Sequence, residues 1–320
     1  MNSKKVVTIY YGDDWNLKVP KVSTEMTRKA FESWHKIGIK NGVEFFRASI
    51  SWYDAKKNIF NKAWAFRNKE WIKIDAPIQP DMIFDKTAGK YDYELYDAKQ
   101  RASRNVLFFN HPTFKTLLSS KLSQYLIFEE FMAKSFIAES AAELVNVCKE
   151  ISSETVVVKP LHGSGGEGIV IGKKREIDLN SLKYPVLIQE FIKNINGVPG
   201  FSKKNTIADL RLVYIDSKRI YAVSRTAKAG SFFTNFHQGA TGKSVPEHFI
   251  PESADKMAQK IVRKLSIFSD TYYSLDFIFN ENDKPILVEI NTTPGLDLLY
   301  AIGDKKAWER NFDAFLTILK

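Results

Sequence analysis

The sequence is poor in the residues that build disulfide-stabilised or fibrous proteins. It contains a single cysteine, Cys148, among 320 residues, which excludes an internal disulfide framework and a cysteine-rich metal site. Glycine and proline number only 16 and 11, too few for a collagen-like or disordered chain. No internal repeat or low-complexity tract is present. The lone cysteine is compatible with a reducing compartment.

Long apolar runs are also missing. Nowhere do about 18 apolar residues follow one another, so no segment is predicted to span a membrane. The apolar stretch near the N-terminus is too short for the central region of a signal peptide, and no small-residue cleavage site follows it. We therefore expect a soluble, cytoplasmic protein without a membrane partner.

The chain does have enough apolar residues for a core, and it carries an excess of basic charge. Hydrophobic residues make up 44% of a length that suits about two domains of roughly 150 residues each. Lysine and arginine total 47 against 37 acidic residues, which gives a net charge of +10. This excess is compatible with nucleic acid, an anionic cofactor or an acidic substrate. No recognisable nucleic-acid-binding module is present, so we do not expect a nucleic-acid partner.

The first third of the sequence has an α/β pattern. The pattern predicts a strand over residues 6–10, a helix from Ser23 or Thr24 to Gly38, and a strand over residues 43–46. Residues 50–80 are rich in aromatics and are typical of hairpins and loops. Five of the six tryptophans precede residue 72, and we interpret them as packing of a small domain rather than as a binding platform.

The rest of the chain is dominated by strands. One helix is predicted after Pro112, with apolar residues at helical spacing as far as Leu126. Further helices are predicted over residues 139–149, 253–267 and 304–319, and strands over residues 106–110, 155–160, 169–172, 186–191, 208–215, 219–225, 272–279 and 285–291. The fold class is therefore α/β (α+β), with predicted divisions into residues 1–105, 106–190 and 191–320.

A glycine cluster, HGSGGEG at residues 162–168, lies between two predicted strands. It formally matches G-x-G-x-x-G, but a dinucleotide fingerprint requires a helix after the glycines, so that interpretation fails. The segment GATGKS (239–244) fails as a phosphate-binding P-loop because His237 stands where the first glycine is required. Two interpretations remain for residues 162–168: a loop whose N–H groups converge on phosphate beside Lys159, or an ordinary flexible hairpin.

Two predicted strands flank the polar turn at residues 281–284 and carry facing carboxylates. A symmetrical hairpin pairs Asp276 with Glu289 and Ser274 with Asn291, which places both carboxylates and the Asn291 amide on one face. Facing carboxylates repel each other unless a cation compensates them. An all-oxygen ligand set suits Mg²⁺ or Mn²⁺ bound to substrate phosphates. The alternative is a solvent-facing sheet surface, where the charges cost little.

Basic and acidic residues also alternate on the two preceding strands. Asp209 and Arg211 share one face of their strand, and Arg225 lies on the next strand. A two-residue turn at residues 217–218 would put the arginines on opposite faces, whereas a three-residue turn at 217–219 would put them on the same face. The polar, glycine-containing stretch at residues 224–239 is predicted to be a loop over a site.

In this order, the elements resemble the ATP-grasp superfamily, most closely its RimK-like glutamate ligase and glutathione synthetase branches. The resemblance covers roughly residues 106–300. It depends on the ordered combination of VVVKPLHGSGGEGIVI (156–171), LIQEFI (187–192), DLR (209–211), SRTAKAGSFFTNFHQGA (224–240), the set Asp276, Glu289 and Asn291, and NTTPGL (291–296). It implies an N-terminal α/β pre-ATP-grasp domain followed by two α+β subdomains that clasp ATP.

The resemblance also implies roles by matched position. Nucleotide contacts are implied for Lys121, Lys159, the flap residues Gly163, Ser164, Gly165, Gly166 and Gly168, the hinge residues Gln189, Glu190, Phe191 and Ile192, and Asp209. Catalytic roles are implied for Arg211 and Arg225, which would hold the acyl phosphate and the transferring phosphoryl group, and for Asn235. Asp276, Glu289 and Asn291 correspond to the ligands of two Mg²⁺ ions, with Mn²⁺ as an alternative.

Two positions depart from the pattern of the related ligases. Ser120 stands where an aspartate usually precedes the first nucleotide lysine, and Phe233 stands where those ligases often carry arginine. The resemblance implies a carboxylate–amine ligase that acts through an acyl phosphate on an amino acid, a peptide or a protein acceptor, and it implies a possible homo-oligomer. The alternatives are an ATP-grasp kinase or other non-ligating ATP-dependent enzyme, and a basic nucleic-acid-binding protein.

Overall fold

The computed structural model describes residues 3–10, 12–163 and 165–319, so the predicted flap residue Ser164 lies outside the described residues. The N-terminal part consists of β1 (Lys4–Tyr10), α1 (Glu25–Lys40), β2 (Val43–Ser49), β3 (Tyr53–Asp54), β4 (Ile59–Phe60), β5 (Ala63–Arg67), β6 (Glu70–Ile74), β7 (Met82–Asp85), α2 (Tyr91–Glu94), α3 (Tyr96–Ser103) and β8 (Leu107–Phe109). Six of these strands form a sheet in the order β6-β5-β2-β1-β7-β8, in which β1 is parallel to both β2 and β7.

Helix α1 packs on this sheet. The Thr24 Oγ1 atom accepts a hydrogen bond from the Thr27 N–H at 3.1 Å and caps the helix, as the sequence predicts. The helix continues past Gly38, so the predicted end of the helix at this glycine is wrong. A Cβ atom at Gly38 would lie 2.6 Å from the ring of Phe45, which means that the glycine permits close packing of α1 on β2.

The middle of the chain forms a four-stranded antiparallel sheet. The sheet follows two short helices, α4 (Pro112–Leu118) and α5 (Lys121–Phe128). Its strands are β9 (Ser135–Ala138), β10 (Thr155–Pro160), β11 (Val170–Lys173) and β12 (Val186–Glu190), and helix α6 (Ala141–Glu150) lies between β9 and β10 in the sequence. The strand order is β11-β10-β12-β9. Cys148 lies on α6 within the small core of this sheet, together with Leu144 and Ile188.

The C-terminal part is a five-stranded sheet with three helices. Its elements are β13 (Ala208–Ile215), β14 (Lys218–Thr226), β15 (Thr241–Ser244), α7 (Glu252–Leu265), β16 (Tyr272–Phe279), β17 (Pro285–Asn291), α8 (Leu296–Ile302) and α9 (Lys305–Leu319). The strand order is β15-β14-β13-β16-β17. Helix α9 returns to the N-terminal sheet, where the Phe312 ring lies 4.8 Å from the Trp34 ring, so the two ends of the chain share a core.

The described helices and strands match the predicted α/β (α+β) class. The single helix predicted after Pro112 is wrong, because the chain breaks at Ser119–Ser120 into α4 and α5. The short helix α8 was not predicted. The predicted divisions at residues 105 and 190 stay predictions. Among the described residues, no helix has both the length and the apolar character needed to cross a bilayer.

Candidate active site

The four-stranded and five-stranded sheets enclose a cleft of about 1130 Å³, measured with its open mouth. Both sheets contribute predicted site residues to its walls. The predicted residues that line it are Lys121, Lys159, Gly163, Gly166, Gln189, Glu190, Phe191, Ile192, Asp209, Arg225, Asn235, Asp276 and Glu289. Gly165, Gly168, Arg211 and Asn291 are not among the lining residues. Most residues to which the family resemblance assigns roles therefore converge on one cavity.

The register of β13 and β14 places Asp209, Arg211 and Arg225 on one face of the sheet. Asp209 pairs directly with Arg225. Neither turn considered from the sequence occurs. The chain instead turns at residues 216–217, and a β-bulge at Ile220 shifts the register of β14 by one residue. The bulge produces the same-face arrangement that the three-residue turn would have given.

The register of β16 and β17 confirms the predicted pairing of the acidic hairpin. Asp276 lies opposite Glu289, and Ser274 lies opposite Asn291. A register shift lies between Asp276 and Phe277, so the hairpin is not symmetrical as far as its turn. Residues that pair directly point to the same face of a sheet. Arg211 pairs with Asp276 and Asp276 pairs with Glu289, so both carboxylates lie on the face that carries Arg211 and Arg225.

Two buried arginines neutralise the carboxylates at the centre of this face. Arg211 binds Asp276 with two hydrogen bonds, from Nε to Oδ1 at 2.8 Å and from Nη2 to Oδ2 at 2.6 Å. Arg225 bridges two carboxylates: its Nη2 atom donates to Asp276 Oδ2 at 2.8 Å, and its Nε atom donates to Asp209 at 3.0 Å. Thr234 donates a further hydrogen bond to Asp209 at 2.7 Å.

These contacts keep Asp276 ionised. Burial alone would raise the pKa of its carboxyl, but the charges of Arg211 and Arg225 outweigh burial and lower the pKa to about 2. Burial would lower the pKa of Arg225, and the charges of Asp209 and Asp276 raise it instead. The face therefore holds fixed positive and negative charges at one wall of the cleft.

Glu289 differs from Asp276 in having no hydrogen-bond donor among the described residues. It is half-buried and lines the cleft, and no described residue donates a hydrogen bond to it. Asp276, in contrast, accepts four hydrogen bonds, the fourth from Ser274 Oγ at 3.1 Å, which fills the lone-pair sites of a carboxylate.

The predicted ligand set fits a hard divalent cation. It offers oxygen atoms only, from Glu289, Asp276 and the Asn291 amide, and oxygen is what Mg²⁺ prefers. The described residues contain no cluster of three or more histidine, cysteine, aspartate or glutamate side chains placed around a metal position. A cation at Asp276 would have to displace one of the four hydrogen bonds that this residue accepts, whereas Glu289 is available as it stands.

Lys159 faces the acidic wall, the face that carries Asp209, Asp276 and Glu289, from the opposite sheet. Lys159 is buried at the end of β10, where its Nζ atom donates to Gln189 Oε1 at 2.7 Å. Burial and the nearby charge of Lys121 lower the pKa of Lys159 to about 8, against the opposing charge of Glu289. Among the described residues, no carboxylate forms an ion pair with Lys159. This cation is therefore positioned to meet an anion that enters the cleft.

The glycine loop closes over the cleft against the loop that follows β14. Lys121 Nζ donates to the Gly163 carbonyl at 3.0 Å, and Gln238 Nε2 donates to the Gly165 carbonyl at 3.1 Å. A Cβ atom at Gly166 would lie 2.6 Å from Gln238 Nε2 and 2.9 Å from Asn235 Oδ1. A side chain at this position would therefore make the Gln238 and Asn235 side chains move where the two loops meet.

The far end of the cleft is apolar. The Phe191 ring lies 5.3 Å from the Phe232 ring, edge to face, and Ile192 lines the same cavity. Glu190 accepts a hydrogen bond from Ser152 at 2.6 Å, which holds the segment after β12. An apolar end and a charged end suit a ligand that combines a flat ring with an anionic group.

Two side chains that anchor the acidic wall were not predicted from the sequence. Gln124, on α5, donates to the Ile290 carbonyl at 2.9 Å and accepts from the Ile290 N–H at 2.8 Å, so it acts as a strand partner for β17. Asn110 donates to the Thr292 carbonyl at 2.7 Å and also bonds the backbone of Tyr272. Both hold the backbone beside Glu289 and Asn291, and no local pattern distinguishes them from ordinary polar residues.

Comparison with known proteins supports the fold and the family. The model of the RimK-like ATP-grasp domain matches residues 121–305. A probable alpha-L-glutamate ligase of Shewanella halifaxensis (strain HAW-EB4) is 30% identical over 229 residues, which cover 69% of this chain and 44% of the relative. A probable alpha-L-glutamate ligase of Parasynechococcus marenigrum (strain WH8102) is 30% identical over 166 residues, which cover 50% of this chain and 32% of the relative. The chain thus spans less than half the length of these two relatives.

The structural comparison extends over the whole chain. The VanG D-Ala:D-Ser ligase from Enterococcus faecalis superposes with a TM-score of 0.65 at 15% identity, over 99% of this chain and 100% of the other. At this identity the likeness shows the fold alone, which is the ATP-grasp fold. The family model covers more than half of the residues and includes every predicted metal and nucleotide residue, so the chain belongs to the RimK-like ATP-grasp family.

Proposed function

We propose that the protein is an ATP-dependent carboxylate–amine ligase that forms an amide or peptide bond through an acyl phosphate. The observation that carries the proposal is the facing arrangement of charges in the cleft. Lys159 lies on one wall without a carboxylate partner among the described residues, and Arg211, Arg225 and Asp276 form a bonded network on the other. The names of the relatives, which are probable alpha-L-glutamate ligases, support the same reaction class.

The nucleotide would lie along the cleft from its apolar to its charged end. The ring would lie beside Phe191 and Ile192, at the segment that follows β12. The phosphates would lie near Lys159 and under the loop that contains Gly163 and Gly166, whose backbone N–H groups can approach phosphate oxygens closely. Lys121 would add a second positive charge from the start of α5.

The chemistry requires two transfers. The substrate carboxylate oxygen forms a bond to the γ-phosphorus while the bond to the β,γ-bridging oxygen breaks, which gives an acyl phosphate and ADP. The amine then attacks the acyl carbon, the bond from that carbon to the phosphate oxygen breaks, and the amine loses a proton as phosphate leaves. Arg225 lines the cleft and Arg211 lies behind it in the same ionic network, so Arg225 would be held by its ion pairs to stabilise the developing negative charge, with Arg211 supporting it.

Glu289, Asp276 and Asn291 would hold the divalent cation at the phosphates. Bound Mg²⁺ supplies charge neutralisation on the transferring phosphoryl group. We propose two ions, the number that the family resemblance implies, and Mn²⁺ as a substitute because the ligand atoms are oxygens. The loops at residues 163–168 and 235–238 already meet, so they can exclude water from an acyl phosphate.

Trapping with hydroxylamine tests the proposed reaction. The protein is incubated with Mg²⁺-ATP, hydroxylamine and pooled amino acids and peptides, and ADP and hydroxamates are measured. We expect ADP together with a hydroxamate, whose mass names the carboxylate donor. ADP without hydroxamate would contradict the ligase and favour the alternative kinase or other non-ligating enzyme. If no ADP forms with the pool or with protein acceptors, the proposed function is wrong.

Two arginines of β14 provide a matched pair of variants. Arg225→Lys removes the bridging guanidinium and should lower hydroxamate formation about a hundredfold or more. Arg219→Lys is the control, because Arg219 lies on the same strand and also pairs with two carboxylates, Glu247 and Asp255, but does not line the cleft. It should keep turnover close to that of the parent protein. Equal losses in both variants would contradict the assigned role of Arg225.

A further inference from the structure

A second cation without a carboxylate partner among the described residues lies near the acidic wall, close enough to Arg211 for the two charges to interact. Lys86 directly follows β7, and its Nζ atom donates to the Pro294 carbonyl at 2.9 Å. The ammonium group lies 5.4 Å from the centre of the Phe84 ring and 5.7 Å from that of the Tyr272 ring. An ammonium group has three donors, and a single acceptor in the described part of the chain engages it.

The carboxylates near Lys86 are already engaged by other groups. Asp85 forms ion pairs with Lys115 at 3.2 Å and with Lys99 at 3.0 Å. Asp297 accepts from Thr27 at 3.2 Å, and His237 Nε2 lies 3.4 Å from it. No described carboxylate lies within 4.0 Å of Lys86 Nζ.

The fully buried cations in the described chain, apart from Lys159, have such partners. Lys99 and Lys115 are completely buried and lie between Asp85 and Asp92. Arg211 and Arg225 are paired as described above. Lys159, the remaining exception, faces the cleft where the proposed function places phosphate. Lys86 is half-buried, and withdrawing a cation from water without a carboxylate partner is costly, so the lack of such a partner points to an anion that the protein binds there.

The topology of the N-terminal sheet places Lys86 where such sheets bind ligands. Strand β1 lies between β2 and β7, and all three are parallel, so the strand order reverses between β1 and β7. Ligands of open α/β sheets bind outside the carboxyl ends of the strands at this reversal. The Lys86 N–H donates to the Ile9 carbonyl at 3.0 Å, which places Lys86 at the carboxyl ends of both strands.

A second polar group at the same sheet end also lacks a partner. The Tyr10 hydroxyl, at the last residue of β1, is buried, and no described residue forms a hydrogen bond with it. Burial raises the pKa of Tyr10, so the hydroxyl keeps its proton and can act as a donor. Lys86 and Tyr10 thus provide an ammonium and a hydroxyl donor on adjacent strand ends, which is a suitable pair for a carboxylate.

We propose that Lys86 binds the free carboxylate of an amino-acid or short-peptide substrate, with Tyr10 as a second donor. The proposal rests on the proposed function, because it places this substrate beside the arginines that would receive its activated group. Burial and the charge of Lys115 lower the pKa of Lys86 to about 7, against Asp297 and Asp85, and a bound carboxylate would restore its full charge. Arg211 lies close enough for its charge to contribute to the same lowering.

Direct binding tests the site without requiring turnover. The twenty amino acids and a set of dipeptides are titrated into the protein with Mg²⁺-ADP present, and each ligand that binds is repeated as its C-terminal carboxamide. Lys86→Met removes the charge at similar length, Lys86→Arg keeps it, and Lys90→Met is the control. Lys90 is exposed and pairs only with Glu94 among the described carboxylates.

We expect the parent protein to bind a free amino acid or dipeptide more tightly than its carboxamide. Lys86→Met should weaken that binding about ten- to hundredfold, Tyr10→Phe should weaken it less, and Lys86→Arg and Lys90→Met should keep it. The Mg²⁺-ADP affinity should not change. If Lys86→Met binds the ligand as tightly as the parent protein, or if no amino acid or dipeptide binds, the proposal is wrong. The hydroxylamine experiment with protein acceptors separately decides whether the ligase function survives.

Discussion

Asp276 and Glu289 lie directly opposite each other on neighbouring antiparallel strands, yet only Asp276 is bonded to arginine among the described residues. The two carboxylates therefore have different physical tasks. Asp276 accepts four hydrogen bonds and belongs to a buried ionic network. Glu289 accepts none from the described residues, and its charge is left for a ligand in the cleft.

This difference predicts that stability and metal binding separate between the two positions. Asp276→Asn should lower the free energy of unfolding by about 3 kcal/mol, because it leaves the buried guanidinium of Arg211 without its carboxylate. Glu289→Gln should change the free energy of unfolding by no more than about 0.5 kcal/mol, since no internal bond is lost. Chemical denaturation of both variants without nucleotide measures this directly.

Nucleotide binding should respond to both changes. Each variant should lose the Mg²⁺ dependence of ADP binding, measured by calorimetry with Mg²⁺ and with a chelator. Arg225→Lys is the control, because it alters the ionic network of Asp209 and Asp276 without removing a proposed metal ligand. A large loss of stability in Glu289→Gln would contradict the inference that this carboxylate makes no internal hydrogen bond with the described residues.

The helix that begins with Lys121 provides a second prediction. The Ser120 side chain accepts a hydrogen bond from the Ser123 N–H at 3.4 Å and caps α5, and aspartate performs the same task at helix N-termini. Ser120→Ala should lower the free energy of unfolding by about 0.5–1 kcal/mol and should weaken nucleotide binding, because the Lys121 contact with Gly163 becomes less well defined. Ser120→Asp should restore both quantities. A loss of affinity in Ser120→Asp as large as in Ser120→Ala would contradict the capping role.

The strands are predictable because each is a short run of β-branched and aromatic residues between polar turns. This pattern is enough to pair Asp276 with Glu289, since side chains alternate along strands and the polar turn sets the centre of the hairpin. The same-face position of Arg211 and Arg225 stays open in the sequence, because a β-bulge at Ile220, which leaves no mark in the residue pattern, decides it.

Other features could not be predicted because long-range contacts create them. The apolar spacing continues through Ser119–Ser120, so the break between α4 and α5 was missed. Gln124 and Asn110 become important only when the fold brings them beside strands more than 160 residues away. The family resemblance supplied roles for residues that line the cleft, but it gave no indication of Lys86, whose significance comes from the absence of an ion-paired carboxylate in the described chain.

The glycine loop gives a third prediction through two neighbouring glycines. Gly165 and Gly166 both have positive φ, at +69° and +79°, so alanine strains the backbone at either position by about 1 kcal/mol. Only at Gly166 does a Cβ atom collide with Asn235 and Gln238; at Gly165 nothing in the described chain lies within 4 Å. Gly166→Ala should therefore separate the two loops and weaken Mg²⁺-ADP binding about fivefold more than Gly165→Ala. Equal affinities, measured by calorimetry, would show that the contact between the loops does not matter.

Proton uptake on nucleotide binding gives the final prediction. The pKa of Lys159 is lowered to about 8, so at pH 8 about half of the molecules carry a neutral amine there, whereas below pH 7 nearly all are charged. Phosphate beside Lys159 raises this pKa, so binding of Mg²⁺-ADP at pH 8 should take up about half a proton, and binding at pH 6.5 almost none. Calorimetry in buffers of different ionisation enthalpy measures the uptake. Lys159→Arg should bind without uptake because a guanidinium stays charged throughout this range, and uptake that persists in this variant would assign the proton to another group.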